Sequence, residues 1–314
     1  MNCEQSEKIA VLLSTYNGEL YLREQIDSII SQTNANQIVL FIRDDGSNDS
    51  TPNIIREYTA IYENIHFLNP NDRVNKGVRD SFFELLRYAF DDEEKFKFFA
   101  FSDQDDVWKE NKLSEAYKAL STVPDNDRGK LYFSNKTFVN EELDVIQEET
   151  IRFYDDFMDI FWQNLASGCT MVIDRKLTSI AIQHSPQCTC IHDGWIYRLS
   201  RMINATIFFD RTSYILYRQH NSNTVGMKSC KPYHLGSLLD KKKRSTSNRY
   251  EIIQEINSLY RTMIPKEKSR VINDYLNSKA SIQAKWRLIH NREMKKRDVR
   301  TRIAWATRIL LNRL

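Results

Sequence analysis

A chain of 314 residues, 41% of them apolar, is long enough to bury a sizeable core as one large domain or as a domain with an appendage. Five cysteines (Cys3, Cys169, Cys188, Cys190 and Cys230) are odd in number and lack a CxxC pair, which disfavours a disulfide framework or a zinc site and predicts reduced thiols in the cytoplasm. The net charge of +3 hides an asymmetry: from Lys279 to Leu314, 11 Lys or Arg stand against Glu293 and Asp298, a local +9 that leaves −6 for residues 1–278.

No stretch approaches the roughly 18 apolar residues of a membrane span. The N-terminus runs into a strand without the basic and then apolar pattern of an export signal. IAVLLSTY, Ile9 to Tyr16, predicts a buried strand with an exit turn at Asn17-Gly18. Leu22, Ile26, Ile29 and Ile30 then recur at helical spacing. QIVLFIRD predicts a second strand, and Ser50 or Thr51 can cap a second helix with Pro52 in its first turn. IHFLNP predicts a short third strand, and Val78, Phe82, Leu85, Leu86 and Ala89 mark a third helix. The βαβαβαβ order predicts an α/β fold, a doubly wound parallel sheet. LYFSNKTFV, ASGCTMVI and YILYRQ would extend it into a mixed sheet along one edge.

The fourth strand of that series, FKFFAF, ends in Asp103, Asp105 and Asp106. Crowded carboxylates are costly unless a cation sits among them, and the carboxyl ends of strands in open α/β sheets are where ligands bind. Mg²⁺ or Mn²⁺ there could clamp the phosphates of a substrate; an acidic turn capping the helix near Trp108 is the plainer alternative. Neither GxGxxG nor a Walker A sequence follows the first strand, so dinucleotide and P-loop chemistry are disfavoured. Asp44 and Asp45 close the second strand in RDDGS and Tyr16-Asn17 the first. A Tyr there can stack on a base and an Asp can accept from a pyrimidine imide N–H, with an Asx turn at Gly46 as the structural alternative.

YNGELYLREQIDSIISQT, IRDDGSNDST, FSDQDDVW, GCTMVID, HDGWIYRLS and ILYRQH, in that order over about residues 8 to 226, resemble the motifs of family 2 glycosyltransferases of the GT-A fold, and more narrowly the bacterial rhamnosyltransferase-like branch. The resemblance implies an inverting transferase that takes a nucleotide-activated sugar with a divalent cation. By it, Ser14, Tyr16, Asn17 and Asp45 meet the nucleotide, Asp103 the ribose or sugar, and Asp105 and His220 the metal. Asp193 falls at the catalytic base, and a carboxylate there could take the proton of an acceptor hydroxyl; capping the helix GWIYRLSRMI is its structural alternative. Gly168, Cys169 and Trp195 are placed on the acceptor side, with core roles for Cys169 and Trp195 equally open. Asp106 is a helix cap or a sugar contact, and Trp108 a stacking platform or a core residue.

Beyond Gly226 the resemblance thins, which predicts a transferase domain over residues 1–226 and a basic helical extension over 227–314. Lys241 to Arg249 looks like a solvated loop. Ile252, Ile253, Ile256, Leu259 and Tyr260 share one helix face, and Pro265 interrupts it. Val299, Ile303, Ala306, Leu310 and Leu314 form a stripe flanked by Arg297, Arg300, Arg302, Arg308 and Arg313. Such a helix suits an anionic membrane surface, with packing on its own domain or a partner as the alternative.

The sequence therefore predicts a cytoplasmic enzyme, peripheral on the inner face of the membrane. It would move L-rhamnose from dTDP-rhamnose, or alternatively a hexose from a UDP-sugar, to a lipid-linked glycan of an O-antigen, capsule or wall polysaccharide. A homodimer is compatible with this reading. A nucleic-acid-binding protein acting through the basic tail is disfavoured, because the first 278 residues are acidic and no aromatics interleave the basic run in an RNA-binding pattern.

Overall fold

The computed structural model describes residues 8–154, 156–220 and 246–312. The expected boundary at Gly226, most of the Lys241–Arg249 stretch, Cys3, Cys230 and Leu314 lie outside the described residues. The first half alternates β1 (Ile9–Thr15), α1 (Leu22–Ile30), β2 (Ile38–Asp44), α2 (Thr51–Ile61), β3 (Ile65–Phe67), α3 (Gly77–Asp91) and β4 (Phe98–Ser102). The chain continues through β5 (Val107–Trp108), α4 (Lys112–Thr122), β6 (Lys130–Val139), β7 (Val145–Glu148), β8 (Val172–Asp174), α5 (Arg175–Ala181), α6 (His192–Ile203) and β9 (Thr206–Arg218). Four helices follow: α7 (Thr246–Leu259), α8 (Lys266–Asn277), α9 (Ile282–Ile289) and α10 (Val299–Leu310).

The strands form one sheet in the order β3-β2-β1-β4-β8-β6-β9-β5, with β7 paired to β6. The four strands β3, β2, β1 and β4 run parallel, whereas β8 opposes both β4 and β6. Both faces of β1 are covered, which explains its unbroken apolar run. Ile9, Val11 and Leu13 pack with α1, α2 and α4, while Ala10 and Leu12 pack with α3 and α6.

Two local expectations differ from the structure. Neither Ser50 nor Thr51 caps α2 with its side chain; Asp49 Oδ1 accepts from Thr51 N instead, at 3.0 Å. ASGCTMVI forms only a three-residue strand, because Gly168–Thr170 winds into a 3₁₀ turn.

The C-terminal helices dock on the α6 side of the sheet and join the same apolar cluster as α3 and α6. Phe161 stacks on Tyr275 at 4.4 Å and Trp162 meets Trp305 edge-on at 4.5 Å. Helix α10 turns Trp305 and Ile309 inward and leaves Val299, Ile303 and Leu310 in solvent. Arg297 does not flank that exposed stripe. It is buried in a bidentate pair with Asp156, at 2.6 and 2.8 Å.

Candidate active site

β4 delivers Asp103 to the carboxyl edge of the sheet, and the chain then crosses to β5, which pairs with Ile215 and Leu216 near the end of β9. That crossing brings the acidic turn beside residues 218–220. His220 Nε2 lies 2.8 Å from Asp105 Oδ2, so the two residues expected to share a metal meet. Arg218, buried, fixes the turn: its N donates to Asp106 Oδ1 at 3.2 Å and its Nε to the Asp105 carbonyl at 3.0 Å. Its guanidinium also pairs with Glu24 and lies 4.5 Å from the centre of the Tyr21 ring.

Burial first, and then the Asp105 and Asp193 carboxylates, push the Asp103 carboxyl up to about 7. Asp106 is fully buried and pushed well up, with Oδ2 lacking a hydrogen-bond partner. It caps no helix; Asn111 holds the N-cap position of α4. Uncompensated negative charge of this kind fits a divalent cation, and the carboxylate and imidazole of Asp105 and His220 are suitable donors for Mg²⁺ or Mn²⁺. Asp103, Asp106 and Cys169 also converge, with one donor atom of each within 4.8 Å of the others. Burial raises the Cys169 thiol well above its ordinary value, however, so it stays protonated and is a poor ligand for a hard cation.

At the carboxyl end of β1, Ser14 is half-buried and Tyr16 is 46% exposed. Asn17 takes a left-handed φ of 47°, and its Oδ1 accepts from Asn48 N at 2.9 Å. Asp45 is buried and well supplied with donors: Arg43 Nη1 and Lys76 N reach Oδ1 at 2.6 and 2.7 Å, and Gly77 N reaches Oδ2 at 2.8 Å. The turn over Gly46 is closed by Asp44 and not Asp45, its side chain accepting from Ser47 N, three residues on, at 3.1 Å. Gln104 bolts the two loops together, accepting from Thr15 Oγ1 at 2.6 Å and from Tyr16 N at 2.7 Å.

Asp193 lies in the first turn of α6, whose N-cap is Ile191, so it is not the cap. Its carboxylate is held by two amides: Gly194 N at 2.5 Å on Oδ1 and Gly168 N at 3.2 Å on Oδ2. Burial raises this carboxyl; the two amides, then Arg198 and Lys136, pull against that rise. A half-buried carboxylate with directed partners can accept a proton from a hydroxyl brought within hydrogen-bond reach. A Cβ on Gly168 would land on the His192 ring, so only glycine allows this approach. His192 packs against Phe82 at 3.9 Å and Phe101 at 5.1 Å, both tilted to its ring, and burial lowers it to about 3.

Two residues expected on the acceptor side are elsewhere. Trp195 is 0% exposed in the core, because two residues beyond Asp193 on a helix is about 200° around its axis. Cys169, 1% exposed, is buried against Asp103 and Asp106 of the acidic turn. Trp108, 3% exposed, is a core residue with Lys112 Nζ 3.5 Å from its ring centre. The sequence reading missed Gln104, Arg218 and Lys136. Arg218 and Gln104 stood inside quoted motifs, whereas a lone lysine in a strand carries no signal.

A 3-2-1-4 parallel sheet, continued through one antiparallel strand, β8, into β6 and β9 and carrying an acidic turn at its carboxyl edge, is the arrangement of GT-A sugar transferases. The sequence model described as glycosyl transferase family 2 matches residues 10–179, more than half of the chain. The chain belongs to glycosyl transferase family 2. It is 32% identical over 225 residues to the dTDP-rhamnosyl transferase RfbG of Shigella flexneri, covering 68% of this chain and 73% of that one. Among solved structures, TarS 1-349 of S. aureus in complex with UDP-GlcNAc superposes with a TM-score of 0.60 at 16% identity, covering 95% of this chain and 78% of that one. The mannosyltransferase PcManGT of Pyrobaculum calidifontis in complex with GDP-Man and Mn²⁺ gives 0.54 at 14% identity, over 97% and 80%.

Proposed function

We propose that this glycosyltransferase is inverting, that it moves L-rhamnose from dTDP-rhamnose to a lipid-linked glycan, and that Asp193 is its base. The observation that carries the mechanism is the Asp193 carboxylate, fixed by the Gly168 and Gly194 amides on the same crevice as Asp103 and Asp105. The donor reading is supported by the likeness to a dTDP-rhamnosyl transferase. The UDP-GlcNAc bound to TarS favours a UDP-hexose as the second reading.

In the reaction, the acceptor hydroxyl gives its proton to Asp193 as its oxygen bonds to the anomeric carbon. The bond from that carbon to the diphosphate oxygen breaks on the opposite face, and the nucleoside diphosphate leaves with the electron pair. Tyr16 and Asp45 orient the nucleotide, and Asp103 the ribose or sugar. Asp105 and His220 would hold Mg²⁺ or Mn²⁺, which supplies positive charge to the diphosphate; PcManGT was solved with Mn²⁺.

A screen of nucleotide sugars for thermal stabilisation identifies the donor, since a ligand of the native state raises the melting temperature. Calorimetric titration with dTDP and Mn²⁺, beside turnover on the same preparations, then separates the carboxylates. Asp193→Asn should bind normally yet lose on the order of 10² to 10⁴ in turnover, whereas Asp105→Asn should bind poorly. Wild-type turnover by Asp193→Asn would move the base elsewhere, and full activity in excess EDTA would remove the metal.

The reading includes an anionic membrane surface as partner of the helical extension. Supporting it are Val299, Ile303 and Leu310, at 64%, 62% and 61% exposure, with Arg300 and Arg302 exposed among them. On α9, Ile282 and Trp286 are likewise exposed. No described helix is long and apolar enough to cross a bilayer. Val299→Glu with Ile303→Glu should stop sedimentation with phosphatidylglycerol vesicles; unchanged sedimentation would overturn this part.

A further inference from the structure

Lys136 sits at a break in the pairing of β6 with β9: Asn135 stands opposite Ser213 and Thr137 opposite Leu216, with Lys136 skipped. Irregularities of this kind re-aim a side chain. Here the lysine, 9% exposed, turns into the crevice. Its Nζ donates to Ser167 Oγ at 2.7 Å and lies 4.4 Å from the centre of the Tyr217 ring. Its charge acts on Asp103, Asp106, Glu149 and Asp193.

Ser167 is the residue that opens the Gly168–Thr170 turn. The next amide, Gly168 N, is the one that donates to Asp193 Oδ2. A buried ammonium is costly to keep unless it is compensated, and this one bonds to the hydroxyl that precedes the base's own hydrogen-bond donor. The sheet, the turn and the helix carrying the base are thereby joined at one point.

We propose that Lys136 is a positioning residue for the base: by holding Ser167 it fixes the turn whose Gly168 amide carries Asp193. The lysine neither gives nor takes a proton in the reaction. Its contribution is to the orientation and charge of Asp193 at the moment the acceptor proton arrives. The inference rests on the reading of Asp193 as base, and its test separates the two.

The test is a double-mutant cycle on the full chain, with hydrolysis of dTDP-rhamnose as the readout and water standing in for the acceptor hydroxyl. Lys136→Met should lower kcat about 100-fold while dTDP binding in the presence of Mn²⁺ stays within about threefold. In the Asp193→Asn background the same substitution should cost nothing further, because a residue that acts through the base has nothing left to act on. Ser167→Ala, a smaller change, should lose about tenfold in kcat and show the same non-additivity; it carries the test if Lys136→Met does not fold. A full additive loss in the Asp193→Asn background overturns the inference, as does unchanged kcat with dTDP binding weakened tenfold or more. Wild-type turnover by Asp193→Asn alone overturns the base reading, and that result is visible before any lysine variant is made.

Discussion

At the scale of single residues, Gly168 approaches His192 so closely that no extra atom is tolerated. Gly168→Ala would drive a methyl group into the His192 ring, which is already packed against Phe82 and Phe101. The expected cost is about 1–3 kcal/mol of stability, read by thermal unfolding, together with loss of turnover as the amide leaves Asp193. His192 itself makes stability depend on pH. Its folded value of about 3 lies below the ordinary ~6.5, so the unfolded chain binds the extra proton. Its neutral burial is therefore tolerated above pH ~6.5 and loses stability as pH falls below it, by about 1.4 kcal/mol per pH unit at most. His192→Leu should lose less stability than the wild type between pH 7 and 5; an equal loss of unfolding free energy by the two proteins, read from urea titrations at both pH values, would contradict this.

At the scale of elements, the C-terminal helices are tied to the transferase core by an ion pair as well as by apolar packing. Asp156 precedes the 3₁₀ turn Phe157–Phe161, caps it through Met158 N at 2.9 Å, and receives both arms of Arg297. In the same region Tyr197 of α6 hydrogen-bonds to Asp159. Arg297→Met should destabilise by about 3–5 kcal/mol, because it strands a buried carboxylate. The double variant with Asp156→Leu should recover much of that loss. Deleting residues 291–314 would remove Arg297, Met294, Trp305 and Ile309 from the core together, so such a truncation should unfold or aggregate, and surface substitutions are the cleaner probe of membrane binding.

At the scale of the whole molecule, the site is bought with stability. Asp103, raised to about 7, is protonated in the folded chain between pH ~4 and 7 while its unfolded counterpart is ionised. The folded state therefore loses stability as pH rises through that window. A divalent cation bound at the acidic turn would offset the repulsion, so Mn²⁺ should raise the melting temperature more at pH 8 than at pH 5. An equal shift at both values would separate cation binding from these carboxylates.

The sequence by itself determined the strand-helix alternation, the buried strands β1, β2 and β4, and the gathering of acidic groups at their carboxyl ends. These follow from local periodicity and from the requirement that parallel strands be covered on both faces. It also held, in six short motifs, the family. Only the tertiary structure decided which way side chains near a motif point. Trp195 faces the core because of its angle on α6; Cys169 lies beneath the carboxylates; Arg297 is buried on Asp156 while its neighbours are exposed. Lys136 entered the crevice through a break in strand pairing that no periodicity announces. Pattern along a chain reports which residues share a face of one element, whereas what that face meets depends on elements brought together from more than a hundred residues away, as with Asp105 and His220.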